Sequence, residues 1–152
     1  MVEVETAAEL EREARARAAG ADVIIAAAAV ADFRPAEQEA GKRSRAGAFD
    51  LALEPTEDIL AGLARARHDG QVLVGFAAEH GPDGVARAEE KRERKAVDLM
   101  VFNDVSDDAI GFDAADNEVV ILGPGGLQLR VARAPKRAVA AAVLDQVEAL
   151  LC

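Results

Sequence analysis

One recurrence limits the fold more than any other feature: ADVIIAA (21–27), QVLVGFAAE (71–79) and DLMVFND (98–104) are continuous apolar runs that finish in small or polar residues. Runs with no polar alternation suit strands buried on both faces, as in a parallel sheet covered by helices. Helical patterns separate them. TEDILAGLARAR (56–67) lies between the first two runs, with Thr56 as its expected cap and Gly70 beyond it. A highly charged helix is expected over 83–96, between the second and third. Strands alternating with helices in this way define the α/β class.

The flanks add detail. Residues 2–4 (VEV) read as a short strand, and Thr6 with Glu9 forms a capping-box pattern that opens a helix through about Ala19, with Gly20 ending it. VVIL and LQLRV, joined by GPGG, read as an antiparallel hairpin, and Pro135 starts a closing helix, AVAAAVLDQVEALL. Residues 36–50 are polar and aperiodic and hold two glycines, which reads as a loop or flap, and Pro35 is expected to stop regular structure before it. The expected architecture is a Rossmann-like three-layer sandwich: a mostly parallel sheet with an added antiparallel hairpin, in one domain over 1–152. No strand and Gly-rich turn precede VEVETAAEL, although folds of this kind usually bind phosphate there, so the domain is expected to be truncated at its N-terminus.

Charge and cysteine content exclude several function classes. A net charge of −10 argues against a nucleic-acid surface, which needs a broad excess of Lys and Arg. The single cysteine, Cys152, rules out an internal disulfide framework and a cysteine zinc cluster. No apolar run reaches the roughly 18 to 20 residues that span a bilayer, and the first residues do not read as a signal peptide, so no membrane partner and a cytoplasmic location are expected. His68 and His80 are too few and too far apart for a metal site, and the acid-rich 104–118 does not match a calcium-loop pattern, so it reads as a solvated loop and no side-chain metal site is assigned. G-x-S-x-G, GxGxxG and P-loop patterns are absent, and GPGG reads as a hairpin turn.

In open parallel sheets, ligands bind beyond the carboxyl ends of the strands. Here those ends are AAVADF, GFAAE and FND, which leave a shallow floor where a ligand can approach backbone. Alanine fills 35 positions, so the alanine run alone also fits a chain that uses alanine everywhere. Lysine is more selective: the chain has 14 arginines but only Lys42, Lys91, Lys95 and Lys136. Lys91 and Lys95 stand i, i+4 on one helix face, and Lys42 lies in the flap as GKRSR. Lysine presents a compact charge on a flexible stem, suited to phosphate oxygens, although at a helix C-terminus it also complements the dipole.

Taken in order, AAVADFRP, a lysine flap, EDIL opening a helix, VGFAAE and KRERKAVDLMVFND resemble the phosphopantothenate–cysteine ligase family, the C-terminal half of the bifunctional bacterial coenzyme A biosynthesis flavoprotein. The resemblance covers nearly the whole chain. It implies a two-step reaction in which CTP, with Mg2+, activates the carboxylate of 4'-phosphopantothenate as an acyl-cytidylate, and the amine of cysteine then displaces CMP. It implies a homodimer and, in the full-length protein, a fused decarboxylase domain that alone carries FMN. Residue by residue, the CTP site falls on Asp32, Lys42, Glu57, Asp58, Ile59, Leu60, Phe76, Lys91 and Lys95. Ala28, Ala29 and Asn103 fall at substrate positions, and Lys42 is the implied catalytic residue, closing over the acyl-cytidylate. Asp32 is suited to a ribose hydroxyl, a cytosine amine or a magnesium ion. Ser44 stands where the family's flap carries its second lysine, and the family's Gly-rich turn and asparagine-bearing segment have no counterpart here. A non-catalytic nucleotide-binding or dimerisation module that keeps the cytidine site is the alternative. A nicotinamide-dependent oxidoreductase is the remaining one, weakened by the missing Gly-rich fingerprint.

Overall fold

The computed structural model describes residues 1–37, 41–42, 47–79, 81, 83–104 and 115–151. Three helices and three parallel strands follow the expected order: α1 (Ala7–Ala18), β1 (Val23–Ala26), α2 (Ile59–Ala66), β4 (Val72–Glu79), α3 (Gly84–Lys95) and β5 (Leu99–Asp104). Two short strands, β2 (Phe33–Pro35) and β3 (Leu53–Pro55), intervene, and β6 (Asp116–Gly123), β7 (Leu127–Pro135) and α4 (Lys136–Leu151) close the chain. The main sheet runs β1-β4-β5-β6-β7. β1, β4 and β5 are parallel, and β6 and β7 add the antiparallel hairpin.

The three layers follow from residue parity along each strand. On one face Leu73, Ala77, Met100 and Phe102 pack with Leu63, Ala64 and Ala88 of α2 and α3. On the other face Val72, Val74, Leu99, Val101 and Ile121 pack with Val139, Val143 and Val147 of α4. Leu73, Leu99 and Ile121 are fully buried, each contributing about 1.5–3 kcal/mol of apolar burial. Small residues let helix and sheet approach closely: a Cβ at Gly75 would stand 2.8 Å from Leu60 Cδ2, and one at Gly84 only 2.6 Å from Phe102 Cζ. Asp98 pegs the layers together, its carboxylate accepting from Arg67 at 2.8 and 3.0 Å and from the Leu73 amide at 2.8 Å.

The capping box is present, with the Thr6 hydroxyl accepting from the Glu9 amide and the Glu9 carboxylate accepting from the Thr6 amide. Four expectations need correction. Residues 2–4 form no strand: three residues make no ladder without a partner strand, and Val2 and Glu3 are exposed. Thr56 does not cap α2, because its amide donates to the Asp32 carbonyl and its hydroxyl to the Ala31 carbonyl at 2.5 Å. Asp58 takes the cap, accepting from the Ala61 amide at 3.1 Å. Pro35 stops regular structure as expected: it ends β2, which pairs antiparallel with β3, an end position where a missing N–H is tolerated. The acid-rich segment is not a loop throughout, since Asp116–Glu118 begin β6, while 105–114 lie outside the described residues. The hairpin strands also run longer than VVIL and LQLRV, because their pairing continues from Gly123↔Leu127 to Asp116↔Pro135. Of the expected flap, 36–37, 41–42 and 47–50 carry neither helix nor strand. Among the described residues no helix is long and apolar enough to cross a membrane.

Candidate functional site

β1 stops at Ala26, opposite Gly75, while β4 continues through Phe76, Ala77, Ala78 and Glu79 against β5. The sheet therefore has a step at its carboxyl end, with α3 beginning just beyond it. Along α3, residues 87, 91 and 95 share one face. The Lys91 ammonium donates to Glu79 Oε1, and Arg87 Nε donates to Glu79 Oε2 at 3.2 Å. The Lys95 ammonium donates to Asp58 Oδ1 at 3.1 Å, across to the first turn of α2. A strip of cations thus borders the strand ends, each held by a carboxylate on another element.

The carboxylates are ionised by this arrangement. Glu79 lies below the ordinary carboxylate range, chiefly through its hydrogen bond from Lys91, with burial opposing and Arg87 adding to the effect. For Asp58 burial acts upward and is the largest single influence, but the Ala61 amide, Lys95 and Arg94 together bring it below its usual value. Ile59 and Leu60 pack their side chains into the core beside α2, so what they offer a ligand is the backbone N–H of the first helical turn, which precedes any intrahelical partner. Glu57 is exposed beside them.

Strand parity divides the remaining residues. Phe76 and Asn103 project from the face that α4 covers, opposite to Glu79 and the α3 cations, since Phe76 pairs with Val101 and Ala78 with Asn103. Phe76 stays 43% exposed. Asn103 Oδ1 is buried with no hydrogen-bond partner among the described residues; an acceptor in that state ordinarily has a donor to meet. Ala28 and Ala29 line a third region, an open cleft of about 1210 Å³ between the start of α1 and the β2–β3 ribbon. Asp32 is exposed at the base of that ribbon, its carbonyl holding the Thr56 amide. Lys42 is exposed and forms no ion pair with the α3 strip. His68 is a structural residue, its ring nitrogens against the Asp69 and Ala21 carbonyls, and His80 lies outside the described residues, as does Ser44.

Sequence reasoning missed Glu79 and Arg87. The signal for Glu79 was a carboxylate placed directly after the small residues that end a buried strand. It also missed the β2–β3 ribbon, whose only signals are FRP and LEP, two proline-ended triplets. No cluster of three or more metal-ligating side chains occurs among the described residues.

The fold and this strip define a class: a Rossmann-like α/β domain with a cation-bearing helix beside the carboxyl ends of its parallel strands. Its family follows from comparison with known proteins. Residues 1–151 match the DNA/pantothenate metabolism flavoprotein C-terminal domain model, and the chain belongs to that family. It is 35% identical over 161 residues to the Coenzyme A biosynthesis bifunctional protein CoaBC of Mycolicibacterium smegmatis, an alignment covering 99% of this chain and 39% of that one. It is 37% identical over 123 residues to a cysteine/cysteine sulfinic acid decarboxylase of an unknown prokaryotic organism, covering 80% of this chain and 34% of that one. A crystal structure of the C-terminal domain of CoaBC superimposes with a TM-score of 0.78 at 30% identity, covering 99% of this chain and 65% of that chain. The chain therefore spans little more than a third of the length of these curated relatives.

Proposed function

We propose that the domain is a CTP-dependent phosphopantothenate–cysteine ligase. The observation that carries this reading is the α3 strip: Lys91 and Lys95, implied nucleotide residues, stand beside the overhanging end of β4 in a chain that belongs to the family over 1–151. In the first step a carboxylate oxygen of 4'-phosphopantothenate attacks the α-phosphorus of CTP, and pyrophosphate leaves. In the second the cysteine amine attacks the acyl carbon, an amide bond forms, and CMP leaves.

The residues divide these tasks. Lys91 and Lys95 stand on a packed helix and hold phosphates in the ground state, while Lys42, on the flap, meets the reacting group after closure, where negative charge develops. Phe76 supplies an apolar wall, Asn103 presents its buried acceptor to the substrate, and Ala28 and Ala29 leave room for the substrate against backbone. Mg2+ enters with the triphosphate, held by phosphate oxygens and water, which suits a chain with no acidic cage among its described residues. FMN belongs to a separate decarboxylase domain of a longer protein. A homodimer fits the ribbon: Phe33 and Leu53, at 59% and 54% exposure, share its apolar face, while Arg34 and Glu54 pair on the other. Such a face is covered at low cost by a second copy of itself.

Pyrophosphate release is the test. With CTP and Mg2+ present, release should require 4'-phosphopantothenate, stop near one equivalent per site without cysteine, and continue when cysteine is added. Saturable CTP binding with no pyrophosphate under any of these conditions would instead identify a nucleotide-binding module that does no chemistry.

A further inference from the structure

The Glu79 carboxylate is the point where two α3 cations meet, and no role in the reaction accounts for it. It is the last residue of β4, level with Asp104 of β5, and its side chain lies on the face that α3 covers. Its two oxygens divide between Lys91 and Arg87, which stand one turn apart on α3. Like charges at that spacing repel, so a shared anion is what allows both to sit at the strand end. An ammonium has three donors; Glu79 engages one and leaves others for phosphate oxygens. The strand end and the helix are also held at a fixed distance. A Cβ at Gly84 would meet Phe102 Cε2 at 2.9 Å and the Glu79 Cβ at 3.5 Å, so the first turn of α3 rests directly on β5 and Glu79.

We infer that Glu79 is a positioning residue for the nucleotide: it sets the Lys91 ammonium, with Arg87 beside it, at the carboxyl edge of the sheet in the orientation that receives phosphates of a nucleoside triphosphate. This rests on the assignment of Lys91 as a nucleotide residue. Preorganisation is the physical gain, because a lysine already fixed by a carboxylate loses less freedom when a phosphate binds. The depressed acidity of Glu79 keeps the carboxylate charged throughout the neutral range. A purely structural ion pair would act on folding and treat all ligands alike, whereas positioning acts on the phosphates.

The test is calorimetry on the full chain with Mg2+, titrating CTP and CMP separately into wild type, Glu79→Gln, Glu79→Ala and Lys91→Gln. Glu79→Ala should weaken CTP binding about 5- to 20-fold, as loss of one charge-assisted arrangement does, and change CMP binding about twofold or less. Glu79→Gln keeps the shape and one acceptor and should lose less, with its melting temperature close to wild type. If Lys91→Gln weakens CTP binding while neither Glu79 variant does, or if the Glu79 variants bind CTP more tightly, Glu79 does not position Lys91 and the inference is wrong. Equal losses for CTP and CMP would make Glu79 structural, which also overturns it. If Lys91→Gln leaves CTP affinity intact, the assignment of Lys91 fails first and takes this inference with it. Should Glu79→Ala not fold, Glu79→Gln decides the matter.

Discussion

The helix lysines and the flap lysine are the same chemical group in opposite physical states. Lys91 and Lys95 stand on a helix packed against the sheet, each ammonium held by a carboxylate on a different element. Lys42 is exposed, in a stretch whose described residues form no helix or strand, and it forms no ion pair among the described residues. A cation fixed before the ligand arrives contributes to ground-state binding. A cation that must be brought in contributes where the new contact is strongest, in the transition state. Under the proposed function, this contrast gives binding to α3 and turnover to the flap, and each half can be broken separately.

The largest expected effect is on the flap. Lys42→Gln should lower kcat about 30- to 1000-fold, equivalent to roughly 2–4 kcal/mol of lost transition-state stabilisation, with little change in KM for CTP. Steady-state kinetics at varied CTP would show it, and a change confined to KM would return Lys42 to the binding set. Lys91→Gln should behave in the converse way. Its CTP affinity should fall about 10- to 100-fold, the value of a charge-assisted contact, while kcat at saturating CTP changes much less.

A third substitution sharpens the contrast through packing alone. Gly84→Ala would force a methyl group to within 2.6 Å of Phe102 Cζ, so the Phe102 ring or α3 itself must shift. Overpacking of this kind costs about 1–3 kcal/mol. Denaturant melts should show that loss together with weaker CTP binding, because the lysines travel with the helix. Gly47, where no atom lies within 4 Å of an added Cβ, has no packing partner to displace, and its positive φ of 76° is the sole source of strain there. Gly47→Ala should therefore leave CTP affinity unchanged.

The smallest effect concerns pH. Glu79 and Asp58 both ionise more readily in the folded chain than in an unfolded one. As pH falls, the unfolded chain therefore takes up protons first. The stability these carboxylates contribute is complete above the ordinary carboxylate range and is lost as pH falls through it, beginning near 4.5 for Glu79. Melting temperature should drop between about pH 5 and pH 3, and the drop should be shallower in Glu79→Gln. An unchanged slope in that variant would mean that Lys91 and Arg87 do not depend on Glu79 in solution.

Much of the fold was legible because its central strands are continuous apolar runs, and VLVGFAAE and LMVFND sit where that pattern puts them. Thr6 could be recognised as a cap because its partner Glu9 is three residues away. Thr56 was misread because its actual partners, the Ala31 and Asp32 backbone groups, are more than twenty residues distant. The same limit applies to the site. That Lys91 and Lys95 share a helix face follows from their spacing alone. That they are held by Glu79 and Asp58, 12 and 37 residues away, follows only from the packing of α2, α3 and β4. The division of Phe76 from Glu79 was legible in principle, since an odd spacing on a strand places residues on opposite faces.

Calorimetric titration of the chain with CTP in the presence of Mg2+, set beside the same titration with NAD and repeated for Lys91→Gln, tests the central claim most directly. The account predicts saturable CTP binding, little or no response to NAD, and a CTP isotherm flattened in the variant. Saturable NAD binding with no response to CTP, or CTP binding indifferent to Lys91, would contradict it.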